Sequence, residues 1–199
     1  MSHRIARHVV VWGIGALALG VCGAQAYGAG RRQGQVRVNQ DAQLSVEFLK
    51  RVEAYVDLHN KIESTIPPRP KNPTPEQIDS HERALARLIA QARTRAKQGD
   101  LFTQPTRAYF RRQIVRALST PDSASVKDSI MEENPGPIKL EVNGRYPDEV
   151  PLATMPPQVL AALPKLPEDL EYRFIGSRLI LLDVHAQIVV DYIEDALPK

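Results

Sequence analysis

One cysteine and one tryptophan occur in 199 residues, and the longest uncharged apolar run, Val9 to Gly23, is 15 residues. A membrane-spanning helix needs about 20, so a polytopic membrane protein is excluded. A single thiol excludes both a disulfide framework within the chain and a four-cysteine zinc site. Aromatic residues make up only 6%, and histidines number five. What is present is an ordinary globular composition, 43% hydrophobic and 25% charged. That balance argues against wholesale disorder, and the length fits one domain or two small ones.

The first 26 residues read as an address. Arg4 and Arg7 precede the apolar run, and Ala24-Gln25-Ala26 supplies small residues for a cut after Ala26. Basic start, short apolar middle and A-x-A form the pattern of a secretory signal peptide. The expectation is export to the periplasm or beyond, with an uncleaved inner-membrane anchor as the alternative. Lipidation at Cys22 is disfavoured because Val21 is bulky where a lipoprotein signal has a small residue. Cleavage removes Cys22, Trp12 and two of the three net positive charges. The remaining chain must then hold together without disulfides.

Downstream, 27–40 is rich in Gly, Arg and Gln and reads as a flexible linker, followed by a helical region over 41–134. Leu44, Phe48, Val52, Tyr55, His59 and Ile62 recur at helical spacing. Five prolines in PPRPKNPTP then form a stiff connector. Thr74, Pro75 and Gln77 predict a capped second helix, with Ile78, Leu85, Leu88, Ile89 and Ala92 inward. A third helix is expected over about 105–118, with Phe110, Ile114, Val115 and Leu118 inward. A shorter fourth follows. Residues 135–199 begin proline-rich, with 138–142 expected as a strand entering a turn at Asn143-Gly144. The chain ends in a three-stranded meander, and its middle strand (Leu179 to Leu182) is apolar on both faces. The expected class is α+β: a long helical hairpin and shorter helices, then a small antiparallel β-meander packed on them as one domain.

Charge is segregated. Residues 27–120 hold 17 basic and 9 acidic side chains, whereas 121–199 hold 7 and 14. Arg83, Arg87, Arg93, Arg95, Lys97, Arg107, Arg111, Arg112 and Arg116 fall in one stretch with a single acid, Asp100. These nine are candidate contacts to an anionic envelope component. The plainer reading is that the halves attract each other, within one fold or between copies. Nucleic acid is disfavoured for an exported protein.

Catalytic patterns are sparse. His81-Glu82 begins like H-E-x-x-H, but Leu85 stands where the second histidine belongs. His59 and Glu63 lie four apart on one helix and can touch. With only His59, His81 and His185 downstream of residue 26, no histidine-rich metal site and no cofactor is expected. No serine lies in G-x-S-x-G. The weak catalytic candidates are Asp183, His185 and Asp191, where a carboxylate beside an imidazole can orient a base or complete a metal shell. Turn chemistry is the competing account, with Asp183 capping the turn.

LPEDLEYRFIGSRLILLDVHAQIVVDYIEDALP resembles the C-terminal segment of a group of uncharacterised exported bacterial proteins. FLKRVEAYVDLHNKIESTIPP resembles their first helix. The resemblance implies export and carries over no catalytic residue. The sequence alone therefore favours a non-catalytic periplasmic or envelope interaction protein acting through charged surfaces on an anionic envelope component or another periplasmic protein. An exported hydrolase or metal-dependent enzyme using Asp183, His185 and Asp191 is the alternative.

Overall fold

The computed structural model describes residues 29–119, 123–132, 138–148, 150 and 154–198. The segment expected as a signal peptide, its expected cleavage point, Cys22 and Trp12 lie outside these residues. The chain divides into two compact units, Met1–Val36 and Arg37–Lys199. Of the first, the described part is the opening of helix α1. The second holds everything discussed below.

Five helices precede three strands: α1 (Ala29–Glu63), α2 (Pro75–Ala92), α3 (Gln104–Ala117), α4 (Ser123–Glu132), α5 (Pro157–Ala162), β1 (Leu170–Ile175), β2 (Arg178–Asp183) and β3 (Ile188–Ile193). The fold is α+β, with an antiparallel sheet in the order β1-β2-β3. No helix among the described residues is long and apolar enough to cross a membrane. The stretch expected as a linker is helical from Ala29 onward. Arg and Gln, which dominate 31–40, are good helix formers.

The α1 stripe buries Phe48, Val52, Tyr55 and His59. Phe48, Phe102 and Phe110 meet with ring centroids 4.8–5.2 Å apart, and Tyr172 of β1 closes on Phe110 at 5.8 Å. Three of the four phenylalanines thus knit α1, the loop before α3, and α3 to the sheet. The capping box at Thr74 and Gln77 forms as expected. Two inward assignments fail: Ala92 and Val115 are exposed. The buried face of α2 instead runs through His81, Leu85 and Ile89.

Strand β2 is covered on both sides. Leu179 and Leu181 join the main core, whereas Ile180 and Leu182 pack with Leu140, Tyr146, Ile175 and Val189. Gly176 sits at φ +55° in the β1–β2 turn, a conformation that favours glycine. Residues 138–142 do not form the expected strand. Gly144 N–H closes a turn onto Glu141 O (2.9 Å), and Asn143 takes φ +63°. The pairing falls instead on 143–146, which exchange backbone hydrogen bonds with Gln187 and Val189.

Candidate metal centre

Residues 55, 59 and 63 stand one helical turn apart, so α1 presents Tyr55, His59 and Glu63 along one face. The sheet meets that face at the end of β2. There Asp183 Oδ2 accepts from Tyr55 Oη at 2.6 Å and pairs with His59 Nδ1 at 2.6 Å. Its other oxygen accepts the backbone N–H groups of His185 (3.0 Å) and Ala186 (2.8 Å). Asp183 therefore caps the β2–β3 turn with one oxygen and orients an imidazole with the other. Both Asp183 and His59 are fully buried.

With Nδ1 committed to Asp183, His59 turns Nε2 toward Glu63 Oε2 at 3.3 Å. Glu63 Oε1 meets His81 Nε2 of α2, also at 3.3 Å. His185 brings Nδ1 to 3.9 Å from Glu63 Oε2 and 3.8 Å from Asp169 Oδ1. Asp169 is anchored just before β1, its carbonyl accepting from Val184 N–H at 3.0 Å. One ligand atom each from His59, Asp169 and His185 lie within 4.8 Å of one another. His185 Nδ1 is buried and has no hydrogen-bond partner among the described residues. All three histidines downstream of residue 26 thus come together around Glu63.

The electrostatics follow from this packing. Burial opposes charge on His59, but the hydrogen bond and charge of Asp183, with Glu63 and Asp169 behind, raise its pKa above the ordinary imidazole value. Burial likewise opposes ionisation of Asp183, yet His59, Tyr55 and the Ala186 N–H hold its pKa below the usual carboxylate range. Glu63 is partly desolvated, and His81, His59 and His185 lower its pKa all the same. Tyr55 is pushed well up by burial and by Asp183.

Asp191 is not part of this cluster, which corrects its grouping with Asp183 and His185. Its Oδ2 accepts from Leu101 and Phe102 N–H at 2.8 Å, and Oδ1 from Gly99 N–H at 2.9 Å and Tyr192 N–H at 2.8 Å. The loop before α3 leaves those donors without helical partners, and the fully buried Asp191 satisfies them.

The nine basic candidates disperse. Arg83 pairs with Asp79 and Asp148, Arg112 with Asp41, and Arg116 with the Gln113 side chain. Arg111 binds the Glu194 and Asp195 carbonyls. Arg93 is half-buried 4.9 Å over the Tyr55 ring and bonds Asn143 and the Val190 carbonyl. Arg107 lies beside the loop at Gly99 and is half-buried. Arg87, Arg95 and Lys97 are exposed, with no side-chain partner among the described residues.

Comparison with protein-family models, curated proteins and solved structures finds no match.

Proposed function

We propose that the protein binds a divalent transition metal between α1 and the sheet, with His59 Nε2, His185 Nδ1 and Asp169 Oδ1 as ligands. The observation that carries this reading is that one ligand atom from each of these three residues lies within 4.8 Å of the others, beside a buried His185 Nδ1 that has no hydrogen-bond partner among the described residues. Imidazole with carboxylate suits zinc and its first-row neighbours. Asp183 on the far nitrogen of His59 supplies the outer carboxylate that fixes ring tautomer and direction in many metal sites. A metal-free general base at His59 is disfavoured, since its fully buried ring cannot reach a substrate. The N-terminal pattern supports placing this activity outside the cytoplasm.

The test is calorimetric titration of Zn²⁺ into chelator-stripped protein. The expected result is one ion per chain, with binding lost or severely weakened in His185→Ala and Asp169→Asn. Asp183→Asn should weaken binding by about 10–100-fold, the range for outer partners. A wild-type protein that takes up no metal overturns the reading.

Exposed Arg87, Arg95 and Lys97 support a second reading, contact with an anionic envelope surface. Co-sedimentation with anionic phospholipid vesicles at low salt, lost on reversing these three charges, is its expected signature. No sedimentation of the wild type would remove it.

A further inference from the structure

We propose that this centre is hydrolytic, with Glu63 accepting a proton from a metal-bound water, His81 positioning Glu63, and an uncharged ester or amide as substrate. This rests on the metal-binding reading above. Catalytic zinc sites keep three protein ligands and leave a place for water, and His59, Asp169 and His185 supply three. Glu63 follows His59 by one helical turn, so its carboxylate lies beside the ligand atoms, with Oε2 3.3 Å from His59 Nε2 and 3.9 Å from His185 Nδ1. Its other oxygen is tied to His81 Nε2 at 3.3 Å from a separate helix. One oxygen is thus restrained from behind while the other stands beside the ligand nitrogens.

Access and charge restrict the substrate. Glu63 and His185 keep 28% and 35% of their side chains exposed, whereas Asp183 and His59 have none. The side nearest solvent is therefore the Glu63–His185 edge. The carboxylates of Asp169, Glu63 and Asp183 all lie next to the ligand imidazoles. With a divalent ion bound and the imidazoles neutral, the three carboxylates leave the site about one negative charge, which favours an uncharged acyl group over a phosphate ester or other anion.

In the reaction, the water oxygen forms a bond to the carbonyl carbon as its proton passes to the Glu63 carboxylate. The bond from that carbon to the leaving alcohol or amine then breaks, and the leaving group takes the proton back from Glu63. The products are a carboxylic acid and the alcohol or amine, with no redox change.

The experiment uses the chain loaded with one Zn²⁺, 4-nitrophenyl acetate as the probe, and the metal-free chain as control. Zinc-dependent hydrolysis is expected. Glu63→Gln should retain zinc binding and lose about 100-fold or more in rate, the scale of positioned proton transfer. His81→Gln should lower kcat with KM unchanged and displace the pH profile. If Glu63→Gln abolishes zinc binding, Glu63 is a ligand and the proposal falls. If the wild type binds zinc yet hydrolyses no faster than the metal-free chain, this inference falls and the metal site stands. If no zinc binds, both fall.

Discussion

Asp183 accepts four hydrogen bonds while fully buried, two from the turn it caps and two from α1 side chains. A buried carboxylate is tolerated only when so satisfied. Tyr55→Phe removes one charge-assisted bond, and a loss of about 1.5–3 kcal/mol in urea unfolding is expected. The same pair sets the pH response of the metal-free protein. The folded pKa of Asp183 is depressed, so its stabilising contribution is complete above the unfolded carboxylate value and is lost as pH falls through the folded value. That of His59 is raised, so its contribution is complete below the unfolded imidazole value, about 6.5, and fades as pH rises through the folded value. Metal-free protein should therefore lose stability on both sides of a mildly acidic plateau. His59→Gln should flatten the alkaline slope, as followed by thermal melts across pH.

At the scale of elements, local chemistry was the readable part. The hairpin at Gly176-Ser177, the β3 return and the Thr74 capping box all follow from neighbouring residues. Thr74→Ala should cost about 1 kcal/mol, measurable by thermal unfolding. The Asn143-Gly144 turn was visible too, but its strand was misplaced. Asn143 donates its side-chain amide to the Arg93 carbonyl 50 residues away and aligns 143–146 on β3. The candidate centre was half legible for the same reason. Helical spacing shows that His59 and Glu63 can touch, and turn chemistry explains Asp183. Only the docking of β2 against α1, 124 residues apart in sequence, shows that Asp183 belongs to His59. Asp191 resembled a partner of Asp183 because both lie in the meander, but its carboxylate serves the 99–102 loop. Asp191→Asn should accordingly destabilise the fold while leaving metal stoichiometry unchanged in the folded fraction.

Across the whole molecule, part of the segregated charge is met within the fold. Arg83 reaches Asp148, Arg145 reaches Asp79 and Glu82, and Arg111 holds the carbonyls near the C-terminus. Contacts between the two halves thus form within one chain, while Arg87, Arg95 and Lys97 stay exposed without an ion pair among the described residues.

The ligand residues are also widely spaced along the chain: His59 on α1, Asp169 before β1 and His185 after β2. Closing so long a loop carries a large entropic cost in the unfolded chain. An ion therefore finds its complete ligand set only after helix and hairpin have joined, which places coordination after the folding barrier. Stabilisation acquired past the barrier appears in the unfolding rate. Stopped-flow measurements should show zinc leaving the refolding limb of the chevron nearly unchanged and slowing the unfolding limb, which would make the ion a kinetic lock on an already assembled chain.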